Sequence, residues 1–139
     1  MPHQEFLKGV EQFNQQDFYA CHDTLEALWM EALEPQKRFY QGVLQIAVAC
    51  YHLSNLNWRG AVVLLGEGIR RLRDYQPIYE GIDVTKLLTH SAKLLTSLQQ
   101  VGSGQVADFV ERLAALEINC TNSVSPQAVS DWPKIQRVD

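Results

Sequence analysis

The chain has 139 residues, 46% hydrophobic and 20% charged, with a formal net charge of −4; that is an ordinary globular composition, and the length fits one domain burying about two-thirds of its unfolded surface. The negative balance removes, for the chain as a whole, the phosphate attraction that supplies most nucleic-acid affinity, so no nucleic-acid partner is expected. No window reaches the roughly 18 uninterrupted apolar residues of a membrane span, and Met1-Pro2-His3-Gln4-Glu5 lacks a basic stretch leading into an apolar one, which predicts a cytoplasmic protein with no membrane partner.

Taken in chain order, the pattern is helical throughout, with no alternating run long enough to propose a strand. A first helix is predicted over His3 to Phe13, followed by the turn Asn14-Gln15-Gln16-Asp17, whose Asp17 can cap a second helix starting at Phe18. In the second helix Phe18, His22, Leu25 and Trp29 form the inward stripe, and Glu26 sits at its edge. It ends near Glu34, because the residue before a proline is pushed out of the α region. The third helix spans Gln36 to Ser54 and is apolar almost all the way round. Asn57 caps a fourth, Trp58 to about Asp74, which should bury Ala61, Leu64, Leu65, Gly68, Ile69 and Leu72. Gly60 and Gly68 cost roughly 1 kcal/mol each inside a helix and point to a neighbouring helix passing close by. The arginines Arg70, Arg71 and Arg73 near its end complement the helix dipole.

Tyr75 to Asp83 reads as a loop broken by Pro77 and Gly81. Asp83 caps a fifth helix, Val84 to Gln100, and Gly102-Ser103-Gly104 separates it from a sixth, Gln105 to Leu116. The expectation is therefore an all-α, single-domain bundle of antiparallel helical hairpins with about six helices over residues 1–118. A polar tail, 119–139, docks through Trp132. Phe18, Cys21, Leu25, Leu28 and Trp29 recur as Trp58, Ala61, Leu65, Gly68 and Ile69, a faint likeness to tetratricopeptide arrays. Cys21, Cys50 and Cys120 form an odd set with no Cys-x-x-Cys pair, so free thiols are expected, two of them buried, rather than a disulfide framework or zinc site.

The third helix carries one polar line, Gln41, Gln45 and His52, lying within about 40° of each other at 100° per residue. Folding the second helix antiparallel to the third places Glu26 level with Val43 and His22 level with Ala47, so His22, Glu26, Gln41 and Gln45 should gather, with His52 near the end that holds Asn14 and Asp17. Three readings of this group compete. In the first it is a buried network that fixes helix register, since an unpaired member costs about 1 to 3 kcal/mol. In the second, His22 and Glu26 at i and i+4, with His52, ligate a metal. The third makes Glu26 orient His22 as a general base or acid. No serine or cysteine nucleophile accompanies the pair, because Cys21 is rotated about 100° away from His22 on the helix. No Gly-rich phosphate loop, His-Glu-x-x-His or nucleotide fingerprint is present, so no cofactor is expected.

The stretch Asn14-x-x-Asp17-Phe18-Tyr19-x-Cys21-His22-Asp23-x-Leu25-Glu26-x-x-Trp29, then Phe39-Tyr40-Gln41-Gly42-Val43-Leu44-Gln45-Ile46-Ala47-Val48-Ala49 with His52, then Asn57-x-x-Gly60-Ala61-x-x-Leu64-Leu65, resembles the helical family catalogued as domain of unknown function 309. The resemblance covers Phe13 to Asp83, with Trp132-Pro133 as an echo of that family's closing segment. The family pattern reads His-Glu where this chain has His22-Asp23, which keeps the charge and shortens its reach. The resemblance implies a wholly helical bundle of hairpins, found in bacteria, archaea or plastid-bearing organisms, and no established activity.

The leading expectation is a small polar ligand bound by His22, Glu26, Gln41, Gln45 and His52. The rivals are a protein–protein interaction module in which those residues are structural, and a metal-binding bundle. The aromatic surplus of Trp29, Phe39, Tyr40, Tyr51 and Trp58 predicts in addition a homodimer.

Overall fold

Short polar turns set the architecture, and their side chains say where each helix begins. The Asn57 side chain accepts from the Gly60 N–H at 3.0 Å, and Asp83 accepts from the Lys86 N–H at 2.9 Å, so both predicted caps are made. Asp17 occupies the cap position before the second helix but makes no side-chain cap hydrogen bond. At the third helix the Glu34 carboxylate accepts from the Arg38 N–H at 2.9 Å. The computed structural model describes residues 4–113 and 132–138, and its helices are α1 (Gln4–Asn14), α2 (Phe18–Glu31), α3 (Gln36–Ser54), α4 (Trp58–Leu72) and α5 (Val84–Val101), with a further helical stretch over 106–113.

Successive helices pack antiparallel. Cys21 donates its thiol hydrogen to the Gly9 carbonyl, and Thr24 bonds Gln12, which ties α1 to α2. The Lys37 ammonium donates to the Trp29 carbonyl at 2.9 Å and lies 5.0 Å from the Trp29 ring centre, closing the α2–α3 turn with a cation at a helix C-terminus. At the far end of that pair the rings of Tyr19 and Tyr51 meet at 5.6 Å. This agrees with the register expected from the sequence. The α4–α5 pair is held by the Trp58 indole N–H, which donates to the Leu98 carbonyl at 2.8 Å.

The core centres on α3, whose Phe39, Val43, Ile46, Ala47, Cys50 and Leu53 are fully buried. Phe39 is the hub of an aromatic cluster: its ring lies 5.5 Å from Phe6, 5.3 Å from Tyr75 and 4.7 Å from Tyr79. The tightest contact is between α3 and α4. A Cβ on Gly68 would sit 2.6 Å from Ile46 Cγ1 and 2.9 Å from the Gly42 carbonyl oxygen, and one on Gly42 would meet Leu72 at 2.8 Å. Two glycines therefore let these helices touch almost backbone to backbone, which is the close passage that Gly68 foretold.

Several boundaries differ from expectation. The second helix stops at Glu31, since Ala32 is already extended at ψ 154°. Leu72 ends α4, and Arg73–Tyr75 continues as one 3-10 turn. Leu64 and Ile69 are half-buried rather than buried, because α4 is covered by α3 and α5 over only part of its circumference. The stretch read as a loop holds a two-stranded antiparallel hairpin, β1 (Ile78–Tyr79) and β2 (Ile82–Asp83), too short to leave a periodic trace. Residues 114–131, which include Cys120, the predicted end of the sixth helix and most of the tail, lie outside the described residues. Trp132 itself is buried, 5.3 Å from the Phe18 ring.

The glycine contact generates a sharp contrast within one helix. Gly68→Ala should cost about 1 to 3 kcal/mol by overpacking against the α3 backbone. At Gly66 an added Cβ meets nothing within 4 Å, so Gly66→Ala should gain about 0.4 to 1 kcal/mol. Urea melts of the two variants check the opposite signs.

Candidate functional site

On the side of α3 away from its buried residues, Gln41, Gln45, Val48 and His52 are half-buried. The helix thus has one open strip, flanked by α2 on one side and α4 on the other, so the five residues singled out from the sequence border a single face. They do not form one hydrogen-bonded group there. They divide into three.

On α2, His22 lies between two carboxylates of its own helix. Its Nε2 is 2.9 Å from Glu26 Oε2 and its Nδ1 is 3.2 Å from Asp23 Oδ1. A neutral imidazole donates only one of those bonds, and an imidazolium donates both. The His22 side chain is 33% exposed and the Glu26 side chain 46%. This is a solvated surface pair rather than the buried network of the first reading.

On α3 and α4, the Gln45 amide N–H donates to Glu67 Oε2 at 3.2 Å, while the Arg71 guanidinium donates to Gln45 Oε1 and to Glu67 Oε2, each at 3.1 Å. Glu67 and Arg71 are an i,i+4 pair, and Gln45 spans the seam between the helices. Gln45 therefore takes its partners from α4, not from α2 as the sequence suggested. The glycine contact explains the change, because it brings α4 closer to this strip than the bulky Tyr19 and Tyr51 allow α2 to come. Arg71, read as a dipole-complementing end residue, is instead a member of this clamp, with its buried Nε unpartnered. The Gln41 side chain, one turn before Gln45, makes no hydrogen bond among the described residues.

The third group is at the α3–α4 turn, where His52 Nδ1 is 3.3 Å from Asn57 Nδ2. The ring fits over Gly60, where an added Cβ would approach His52 Cδ2 to 2.9 Å. Gly60 thus makes room for a side chain rather than a helix. The metal reading needs His52 beside His22 and Glu26, and the structure sends it to Asn57. Among the described residues, no three His, Cys, Asp or Glu side chains are grouped to hold a metal ion.

What joins the separated histidines is a run of rings that sequence reasoning did not assemble. His22 lies 6.1 Å from Tyr19, Tyr19 lies 5.6 Å from Tyr51, and Tyr51 lies 6.2 Å from His52. Tyr19 is 58% exposed. The i,i+3 spacing of Tyr19 and His22 and the i,i+4 spacing of Glu67 and Arg71 are the signals that point to these additional residues. One surface groove is lined by Gln105, Asp108, Glu111 and Arg112, and another lies beside α1.

The thiol next to His22 takes no part in this chemistry. Burial, and then the Asp17 carboxylate, push Cys21 from 9.0 up to about 12, and burial raises Cys50 in the same direction. Both are free and buried. They stay protonated and poorly nucleophilic at neutral pH. Tyr40 is likewise pushed from 10.0 to about 12, first by burial and then by the Glu80 carboxylate.

Comparison with known proteins gives one matching family model and one relative. Residues 6–64 match the family model described as "Domain of unknown function (DUF309)". That range holds the whole ring run together with Glu26, Gln41 and Gln45, and stops before Glu67. The chain is similar to "Uncharacterized protein YpuF" of Bacillus subtilis (strain 168), at 32% identity over 97 residues, which is 68% of this chain and 56% of that protein. The match thus covers little more than half of that relative's length.

Two stability measurements follow. Arg71→Ala strands Glu67 and Gln45 at a helix seam and should cost about 1 to 3 kcal/mol, whereas Glu26→Ala removes an exposed pair and should cost under about 1 kcal/mol; chemical denaturation gives the order. The raised thiol and phenol values make the unfolded chain lose those protons first as pH rises. Their contribution to stability should therefore be constant below about pH 9 and fall between about 9 and 12. Melts at increasing pH check the slope, and Cys21→Ala should lower stability at neutral pH yet flatten that alkaline decline.

Proposed function

We propose that this chain, whose residues 6–64 match the DUF309 family model, is a helical interaction module that docks a protein partner on the open face of α2, α3 and α4. The observation that carries the reading is the half-exposed run His22–Tyr19–Tyr51–His52 across two helices. Aromatic side chains offer large rigid contact area with a polar tip, at little cost in conformational entropy, and they are enriched where proteins meet. On this reading Gln45, Glu67 and Arg71 hold the platform, while Tyr19, His22 and Tyr51 touch the partner. The carboxylates of Asp23 and Glu26 at the rim favour a partner with basic side chains there. No helix among the described residues is long and apolar enough to cross a membrane, and we place the interaction in the cytoplasm.

A small polar ligand on the same face is the second reading. It is supported by Gln41, a half-buried amide with no hydrogen bond among the described residues, one turn from the Gln45 clamp.

A photo-crosslinking residue installed at Tyr19, with one at the exposed Lys93 of α5 as control, tests the module. The expected result is a discrete adduct of protein size from position 19, lost on Tyr51→Ala and absent from position 93. Indistinguishable patterns from both positions would remove the proposal. A small mass retained in native mass spectrometry and lost on Gln41→Ala, with no adduct, would establish the ligand reading instead.

A further inference from the structure

The segment 132–138 lies on the helical body as a bound peptide lies on its receptor. One side chain reads both backbone groups of one residue: Asn14 Nδ2 donates to the Ile135 carbonyl at 2.8 Å, and Asn14 Oδ1 accepts from the Ile135 N–H at 2.7 Å. Lys134 donates back to the Asn14 carbonyl at 2.7 Å. Two residues further on, the segment runs along the edge of the two-stranded hairpin. The Asp83 N–H donates to the Gln136 carbonyl and the Val138 N–H to the Gly81 carbonyl, both at 2.8 Å, around an antiparallel bridge between Ile82 and Arg137.

Anchoring follows the same division of labour. Trp132, three residues before Ile135, is 7% exposed against the Phe18 ring, and Ile135 is 2% exposed, while Gln136 and Arg137 face solvent. Backbone hydrogen bonds to a strand edge together with pockets for separated side chains are the two components of recognition by strand addition. The segment is also not sealed in. An open groove runs beside it, lined by Leu7, Lys8, Glu11, Asn14, Gln15 and Arg137, and short edge pairings with solvent on one side open at low free energy.

We propose that the cleft between the α1–α2 turn and the hairpin is a binding site for extended peptides of the form Trp-Pro-x-Ile, and that a second copy of this chain supplies its occupant by exchange of residues 132–138. The motif it recognises is carried by the chain itself, so a second copy presents the matching ligand. Every contact described above joins the segment to the body, so exchange preserves all of them, and rising concentration shifts the balance from the closed monomer to the exchanged dimer. The proposal does not depend on the α2–α3–α4 face, which lies on other residues.

The probe is a fluorescein-labelled peptide, Trp-Pro-Lys-Ile-Gln-Arg-Val, added to full-length chain whose own segment is disarmed by Trp132→Ala with Ile135→Ala. Saturable anisotropy is expected, weakened at least tenfold when Asn14→Ala is added or when the peptide's tryptophan is replaced by alanine. In wild-type chain at high concentration, a dimer fraction that grows with concentration and falls on adding unlabelled peptide supports exchange. A folded disarmed chain that does not bind the peptide overturns the site. A dimer indifferent to the peptide, or none at any concentration, overturns the exchange. Should the disarmed chain fail to fold, hydrogen exchange on wild type decides: the amides of Asp83, Ile135 and Val138 should exchange together and faster than those of α3, and exchange only through global unfolding contradicts the proposal.

Discussion

The approach of α3 to α4 through Gly42 and Gly68 constrains everything around it. With no Cβ at either position, the Gly68 backbone lies close against the Gly42 carbonyl and the Ile46 side chain. Dispersion contacts accumulate only at such distances, and a single methylene would be felt. The seam is then narrow enough for Gln45 to reach Glu67 and Arg71 on α4. Side chains of ordinary size at positions 42 and 68 would hold the helices apart and leave those three groups without a shared geometry.

Its other consequence is asymmetry. On its α4 side α3 is sealed by small residues and a charged clamp, while on its α2 side the contact near the far end is made by Tyr19 and Tyr51, whose rings meet at 5.6 Å. Large rings between two helices cannot both be buried at their outer edges, so Tyr19 remains 58% exposed. The polar residues of this face thus do different work. Gln45 and His52 are spent on holding α3 to α4 and on closing its turn. His22 and Glu26 have partners on their own helix and stay in contact with water, so they remain available to an outside group.

Much of this architecture was legible because helices announce themselves by period and by caps. The bounds of α3, the capping roles of Asn57 and Asp83 and the close passage at Gly68 all follow from local rules. Which helix faces a given polar strip does not. The direction of Gln45 on α3 is fixed by the helical period, but both neighbours border that strip, and the choice falls to distances set by glycines and rings on other elements. The hairpin at Ile78–Asp83 escaped for a different reason: two-residue strands have no periodicity to detect, and they are held by Gln136 and Val138, more than fifty residues away. Asp17 shows the limit of capping rules, being a good cap residue in the right place whose side chain makes no cap bond.

The central claim is that Tyr19 and His22 form a surface reserved for a partner, whereas exposed side chains elsewhere on the same helix are free. Hydroxyl-radical footprinting, performed on the purified chain and on the same chain inside its cells of origin, tests this residue by residue. The account predicts that Tyr19 and His22 become protected in the cell while Met30, 67% exposed on α2, oxidises equally in both settings. Equal oxidation of Tyr19 and His22 in the two settings would contradict it.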